Sequence, residues 1–178
     1  MKWQPFEYQG TTYDLSHLDP LYWSYTAAAG ERRPERTYKF QVSFSMHCFS
    51  RDPLEGEVVV PGLWYEEERE KRVFCFDRHE LSYQLPEIIR SMGDRVCWHT
   101  VHGSFFTIEL TTKEGEEVEY EVYFDVTRAT RKGWLNLIVK SAYVRTEDYA
   151  STQPKKRKIR LDVIAYKRQS KQDIQPGR

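Results

Sequence analysis

The sequence predicts one α+β domain built on a mainly antiparallel, meandering β-sheet, with one or two short helices packed on one face. Aromatic residues make up 15% of the 178 residues, and flat rings favour strands. Apolar and polar residues alternate in several segments, whereas helical spacing occurs in only one. Short connections between the later segments favour antiparallel pairing, because parallel neighbours need long crossovers.

The N-terminal part is predicted to begin as an irregular arm. Up to Gly30 it is rich in aromatic residues with little periodicity. Residues 38–49 alternate cleanly between apolar and polar, which predicts a half-buried strand with His47 and Cys48 on opposite faces. Shorter strands are predicted at residues 57–60 and 73–76.

One segment shows helical spacing. Its apolar residues are Leu81, Leu85, Ile88, Ile89 and Met92. Gly93 predicts the end of the helix, and Pro86 predicts either a bend or a second helix that begins there.

Four strands with tight connections follow, at residues 96–101, 105–111, 118–127 and 134–144. The turn between the first two is predicted at His102–Ser104. A loop at 151–154 and a last strand at 159–166 complete the domain. We therefore predict a single domain over residues 1–168, with a β-rich half (1–76), a half of helix plus four-stranded antiparallel sheet (77–168), and a disordered basic tail (169–178).

Charge is balanced overall but divided along the chain. The 27 basic residues equal the 27 acidic ones, so no net field favours nucleic acid or a membrane. From Ser151 onward there are nine basic and two acidic residues, which leaves 18 basic and 25 acidic residues in the rest. A basic end on an acidic body predicts either an anionic partner or solvated charge, including docking of the tail on the body itself.

The cysteine pattern and the lack of a leader favour a cytoplasmic protein without a membrane segment. The three cysteines, Cys48, Cys75 and Cys97, are an odd number within apolar stretches, which predicts free, buried thiols. The N-terminus has no apolar signal region, and no apolar run reaches membrane length.

Metal, nucleophile and nucleotide sites are weakly indicated. Cys97, His99 and His102 are close in sequence, but their spacing matches no closed tetrahedral zinc pattern, and the alternative is a buried cysteine with surface histidines. No nucleophile elbow, Gly-rich phosphate loop or dinucleotide fingerprint occurs. No cofactor is predicted.

Basic and hydroxylic residues suggest acid–base chemistry on a phosphodiester. Metal-free RNA cleavage needs a base for the 2′-hydroxyl, cations for the phosphate and an acid for the leaving oxygen. The candidate catalytic residues are His79, Arg128, Arg131, Ser141 and Tyr143. His79 is expected to be exposed at the start of the helical segment, and the two arginines to lie in a connection between strands. The alternative is that these residues have no catalytic role, with His79 a lone histidine and the arginines part of a solvated basic turn.

Two segments of the sequence resemble those of a known protein family. Residues 78–89, RHELSYQLPEII, and 120–145, from YEVYFDV to KSAYVR, resemble the layout of phage- or plasmid-associated toxins in the ribonuclease superfamily that groups barnase, EndoU, colicin nucleases and RelE. The resemblance covers about residues 78–145 and implies helices before a four-stranded sheet that cleaves RNA without metal. It carries over only to His79, Ser141 and Tyr143.

Three functions remain open. The first is a metal-independent endoribonuclease with RNA as its partner. The second is a non-catalytic, phage- or plasmid-associated domain that binds an antitoxin or another phage or host protein, favoured if Tyr22, Trp23 and Tyr25 form an exposed patch. The third is a β domain that binds a small ligand or a metal. Convergence of His79, Arg131 and Tyr143 in one cleft would favour the first.

Overall fold

The chain folds around one seven-stranded sheet. The computed structural model describes residues 2–31, 33–100, 104–145 and 157–175. Within these ranges the strands are β1 (Phe6–Tyr8), β2 (Thr11–Tyr13), β3 (Leu21–Ala27), β4 (Arg36–Phe44), β5 (Ser50–Arg51), β6 (Trp64–Glu66), β7 (Lys71–Phe74), β8 (Cys97–His99), β9 (Phe105–Lys113), β10 (Glu116–Arg128), β11 (Trp134–Val144) and β12 (Arg157–Ile159). The helices are α1 (Phe76–Ser82), α2 (Leu85–Arg90) and α3 (Leu161–Gln169), with short 3-10 turns at Ser16–Leu18, Met46–Cys48, Pro61–Leu63 and Met92–Asp94.

The sheet is mixed. Its order is β12-β8-β9-β10-β11-β4-β3, and every neighbouring pair is antiparallel except β11 and β4, which run parallel from Trp134↔Lys39 to Val139↔Phe44. The prediction of a strand-rich α+β fold with few helices is confirmed. The purely antiparallel meander is wrong. Strands β8 to β11 form a meander, but the β3–β4 hairpin from the N-terminal half joins β11 through a parallel pair. Two small sheets, β1-β2 and β5-β7-β6, lie outside the main one.

One face of the main sheet is the core. Alternate residues of β10, including Tyr120, Val122 and Phe124, are fully buried, because successive side chains of a strand point to opposite faces. Buried residues of all three described helices, among them Ile88 and Ile164, belong to the same apolar cluster. The helices therefore cover the same face of the sheet, and there are three of them in the described residues where the sequence predicted one or two.

The predicted strand 38–49 ends early. β4 stops at Phe44, and Met46–Cys48 form a 3-10 turn capped by the Ser45 hydroxyl, which accepts a hydrogen bond from the backbone N–H of His47. Such local side-chain bonding competes with a strand ladder. The expected strand at 57–60 is absent from the described structure.

The N-terminal arm is more ordered than predicted. β1 and β2 form a hairpin whose turn, Gln9–Gly10, has positive φ at both residues (49° and 79°). This is the geometry of a two-residue hairpin that matches strand twist. β3 then forms one edge of the main sheet, with Trp23 and Tyr25 turned to the core side and only Tyr22 strongly exposed, at 68%.

Pro86 marks the start of a second helix. It lies in the first turn of α2, where its missing N–H costs no hydrogen bond. The alternative of a second helix at Pro86 is therefore confirmed.

The expected strand at 159–166 is wrong. β12 ends at Ile159, and residues 161–169 form α3, which buries Leu161, Ile164 and Ala165 at helical spacing. The β-branched Val163 and Ile164 favoured a strand, but burial of one helix face outweighs that propensity. Ile174 also packs against the core, in part of the segment expected to be a disordered tail. Residues 176–178, the loop at 151–154 and His102 lie outside the described residues.

A search of the described residues for helices long and apolar enough to cross a membrane finds none.

Candidate functional site

His79 is not the exposed acid–base group that the sequence suggested. It is only 7% exposed, and its Nε2 lies 2.9 Å from the carbonyl oxygen of Asp14. Its ring also packs edge-on against Tyr13, with centroids 5.6 Å apart. Because α1 presents this face to the N-terminal hairpin, His79 ties that segment to the helix. The expectation of an exposed position is wrong.

Arg128 and Arg131 lie at the turn between β10 and β11. Arg128 is exposed and opposite Leu135, and the Arg131 guanidinium stands 4.5 Å from the centre of the Trp134 ring. A guanidinium over an indole is a favourable surface contact in itself. Arg131 lies in the connection between these strands, as predicted, whereas Arg128 is the last residue of β10, so the prediction is wrong for Arg128.

Ser141 and Tyr143 lie near the other end of β11. Ser141 is opposite Tyr123, and the Tyr143 ring stacks on Tyr123 at 5.6 Å. Tyr143 is nine residues from Trp134 along the same strand, a span of about 30 Å at about 3.3 Å per residue. The arginines and the tyrosine are therefore at opposite ends of β11, and the set does not share one cleft. Its catalytic roles stay untested predictions.

A Ser–His pair occurs nearby but is poorly suited to nucleophilic catalysis. His17 Nε2 and Ser82 Oγ are 2.6 Å apart, which is the spacing of a nucleophile and its base. However, Ser82 is fully buried and donates its own hydroxyl proton to the His79 carbonyl at 2.6 Å. The His17 ring also stacks on Tyr83 with centroids 3.9 Å apart. This pair therefore ties the N-terminal segment to α1.

The described residues hold no cluster of three or more His, Cys, Asp or Glu side chains that could bind a metal. Cys97 and His99 are both buried, so the alternative of surface histidines is wrong for His99. Burial raises the pKa of the Cys97 thiol to about 12, and it does the same for Cys48. Both thiols are therefore unreactive at neutral pH.

A cavity lies elsewhere, between the β3–β4 hairpin and the start of α3. It has a volume of about 660 Å³, within the usual range for small-ligand sites. We call it the arginine–tyrosine cleft. It is lined by Tyr25, Thr26, Ala27, Ala28, Ala29, Gly30, Arg33, Pro34, Arg36, Tyr38, Gly93, Asp94, Arg160, Asp162 and Tyr166.

Asp162 organises one side of this cleft. Its carboxylate is 8% exposed and accepts hydrogen bonds from Arg160 through both oxygens, at 2.9 and 2.8 Å. The Arg33 guanidinium donates a third, at 3.1 Å. Both arginines remain mostly exposed, so one buried carboxylate fixes two guanidinium groups at the mouth of the cleft.

Arg36 differs from those two arginines. Its guanidinium carbon stands 4.8 Å from the centre of the Tyr166 ring, and no ion pair of Arg36 with a carboxylate occurs within the described ranges. Burial raises the pKa of the neighbouring Tyr38 phenol, while the positive charge of Arg36 lowers it. Burial likewise raises the pKa of Tyr25, so both phenols are neutral at neutral pH. The cleft thus joins aromatic walls to one guanidinium that has no carboxylate partner among the described residues.

The comparisons with known proteins identify the family. A model of the YjaZ family matches residues 5–169. Protein YjaZ of Escherichia coli (strain K12) is 31% identical over 168 residues, which cover 93% of this chain and 89% of that protein. The chain belongs to the YjaZ family. No solved structure matches it.

Membership in the YjaZ family corrects the resemblance drawn from the sequence. The family model spans nearly the whole chain, including the N-terminal half that the toxin-like pattern left out. The assignment to the barnase, EndoU, colicin and RelE superfamily is therefore wrong. Helices followed by alternating strands are common to many antiparallel sheets, so this layout did not discriminate between families.

Sequence reasoning missed the residues of the cleft in this YjaZ-family chain. They come from three segments that are far apart in sequence, residues 25–38, 93–94 and 160–166. A signal was available in Asp162, one of two acidic residues within the basic C-terminal segment. Such a residue is a candidate for pairing with the arginines around it.

Proposed function

We propose that this YjaZ-family chain is a binding domain that holds a small organic anion with a flat ring in the arginine–tyrosine cleft. The observation that carries the proposal is the position of Arg36, which lies over Tyr166 in this cleft without a carboxylate partner in the described structure. A guanidinium recognises a carboxylate or phosphate group through paired hydrogen bonds.

The walls of the cleft support a ligand with an apolar body. Ala27–Gly30 and Pro34 form one side, and the rings of Tyr25, Tyr38 and Tyr166 form others. Small-molecule sites commonly combine apolar and aromatic walls with a few polar groups that fix orientation. Tyr25 and Tyr38 stack with centroids 6.3 Å apart, so the aromatic surface is held in place.

The lining also favours binding over catalysis. Among the described residues, no His, Cys or Ser side chain lines the cleft. Those residues supply most nucleophiles and general bases that work near neutral pH. RNA cleavage and a protein partner stay untested predictions, and the separation of Arg131 from Tyr143 is our reason for preferring the cleft.

Benzoate and its neutral analogue benzamide test the proposal. We expect isothermal titration calorimetry to show that the wild-type protein binds benzoate and binds benzamide far more weakly. Arg36→Gln should weaken benzoate binding about tenfold or more, since a hydrogen bond to a charged group contributes about 1.5–3 kcal/mol. Tyr166→Leu should weaken both ligands.

Arg128→Gln is the matched control. It removes the same charge from an exposed position on β10, outside the cleft. Equal weakening by Arg36→Gln and Arg128→Gln would indicate general charge attraction and contradict the proposal. Absence of benzoate binding to the wild-type protein would contradict it as well.

A further inference from the structure

A second, smaller groove lies between β12 and α3. Its volume is about 310 Å³, and its lining residues are His99, Arg157, Lys158, Ile159, Arg160, Val163, Lys167, Ile174 and Gln175. Four of them are cations, and no Asp or Glu occurs among the described lining residues. This contrasts with the arginine–tyrosine cleft, where Asp94 and Asp162 offset part of the positive charge. We call the smaller site the basic groove.

Arg157 and His99 face each other in the basic groove. They are direct partners in the antiparallel pair of β12 and β8, so their side chains leave the sheet on the same side. Arg157 is exposed, and no ion pair of Arg157 with a carboxylate occurs in the described part of the chain. Its charge is therefore available to a ligand.

His99 supplies an independent sign of a missing partner. The residue is 3% exposed, its ring stacks on Phe105 with centroids 5.1 Å apart, and its Nε2 is buried without a hydrogen-bond partner. Burial lowers the pKa of His99. The charges of Arg168 and Arg157 lower it further, and a hydrogen bond with the Gln175 backbone opposes them. A buried polar atom without a partner is costly, and a ligand oxygen at the floor of the groove would satisfy it.

Lys167 adds a cation from α3. Its ammonium donates to the backbone carbonyl of Asp173 at 3.3 Å, not to a carboxylate, so its charge is not neutralised there. Arg160 lies between the two sites and lines both of them. The basic groove thus draws cations from a strand, a helix and the connection between them.

We propose that the basic groove binds the phosphate group of a small phosphorylated molecule, with Arg157 and Lys167 as charge partners and His99 Nε2 as a hydrogen-bonding group at the floor. A phosphate carries the multiple negative charge and several acceptor oxygens that such a set of donors fits. A groove of this volume accommodates a phosphate with a small substituent. The balanced overall charge of the chain argues against an extended nucleic-acid surface, which depends on many phosphate contacts.

Inorganic phosphate is the first probe. We expect it to shift the ¹⁵N resonance of His99 Nε2 in NMR spectra of the wild-type protein at constant pH and ionic strength. Calorimetry should show phosphate affinity falling about tenfold in Arg157→Gln, and further in the double variant Arg157→Gln/Lys167→Gln. Arg157 is exposed and Lys167 is half-buried, so these variants carry less folding risk than the replacement of buried His99.

Lys171→Gln is the matched control. Lys171 belongs to the same basic segment but does not line the groove. Its replacement should leave phosphate affinity unchanged. An unmoved His99 resonance, or equal weakening by Lys171→Gln and Arg157→Gln, would overturn the proposal.

Two further experiments distinguish a small-molecule phosphate site from a nucleic-acid site and from the arginine–tyrosine cleft. A single-stranded RNA oligonucleotide that binds more tightly than phosphate, and is weakened equally by Arg157→Gln and Lys171→Gln, would replace the small-molecule proposal with nucleic-acid binding. Arg36→Gln should leave phosphate binding intact, and Arg157→Gln should leave benzoate binding intact. The two proposals can therefore fail separately.

Discussion

The backbone of Gly93 lies directly against the ring of Tyr25. A Cβ added at Gly93 would come within 2.9 Å of Tyr25 Cδ2, and closer still to Cε2. A glycine at this point lets the 3-10 turn of residues 92–94 approach the aromatic wall of the arginine–tyrosine cleft. The contact links the shape of the cleft to one position without a side chain.

Gly93→Ala is expected to displace the Tyr25 ring and narrow the cleft. Overpacking costs typically about 1–3 kcal/mol, and the ring is only partly buried, so we expect a loss of about 1 kcal/mol in unfolding free energy. Benzoate affinity should fall together with stability. Urea denaturation and calorimetry on the same variant measure both effects.

Gly30→Ala is the control for this change. Gly30 lines the same cleft, but an added Cβ there would meet no atom within 4 Å. It should leave both stability and affinity near the wild-type values. If the two alanine variants behave alike, the Gly93–Tyr25 contact does not shape the site.

Asp162→Ala is expected to destabilise the fold and loosen the mouth of the cleft. The buried carboxylate accepts hydrogen bonds from both Arg160 and Arg33, and a hydrogen bond to a charged group contributes about 1.5–3 kcal/mol. Because both arginines are mostly exposed and can return to solvent, we expect the free energy of unfolding to fall by about 2 kcal/mol. Asp173→Ala, at a position after α3, should have little effect. A loss of unfolding free energy no larger than that of Asp173→Ala would show that Asp162 does not stabilise the fold.

His17 should make stability depend on pH. Its pKa is lowered from 6.5 to about 4, foremost by burial, with the charge of His79 lowering it and that of Asp14 raising it. Since the folded state disfavours the proton, this contribution to stability is fully present above about pH 6.5 and is lost as the pH falls toward 4. The ring is partly exposed, so we expect a loss of about 1–2 kcal/mol.

Two measurements check the role of His17. NMR titration of the folded protein should place the His17 midpoint near 4, and the same ring in the urea-unfolded chain should titrate near 6.5. His17→Gln keeps a group that can donate to Ser82 but cannot take up a proton. Its stability should therefore fall less between pH 7 and pH 4.5 than that of the wild type. If the stability of the two proteins falls equally over this pH range, His17 is not the cause of the pH dependence.

The elements that the sequence predicted well are those with regular side-chain patterns. The strict alternation of Tyr120, Val122 and Phe124 identified β10, and helical spacing with Pro86 identified α1 and α2. The parallel pairing of β11 with β4 joins strands about 95 residues apart, as in the bond from Ser45 Oγ to the Lys140 carbonyl. No local pattern contains that information, because it depends on tertiary packing.

The candidate sites, too, depend on contacts between residues far apart in sequence, which local patterns do not predict. Arg36 and Tyr166 form one wall of the arginine–tyrosine cleft, and they are 130 residues apart in sequence. His79, by contrast, was assigned an exposed role from its place at the start of a helical segment, and the tertiary contact with Asp14 decides its burial. Sequence patterns therefore located strands and helices but not the residues that the fold brings together.

Glu121 is a carboxylate within β10 that is only 1% exposed. It accepts hydrogen bonds from the Tyr123 hydroxyl at 2.7 Å and from Arg145 at 3.2 Å. Removing one member of a buried charged pair costs about 3–5 kcal/mol, because the other charge loses its counter-ion. We expect Glu121→Ala to lower the free energy of unfolding by about 3 kcal/mol. Tyr123→Phe keeps the ion pair and should lower it by about 1 kcal/mol. Urea denaturation of the two variants, with Glu119→Ala on the same strand as an exposed control, measures the difference. A loss for Glu121→Ala no larger than that for Tyr123→Phe would show that the ion pair with Arg145 contributes little to the fold.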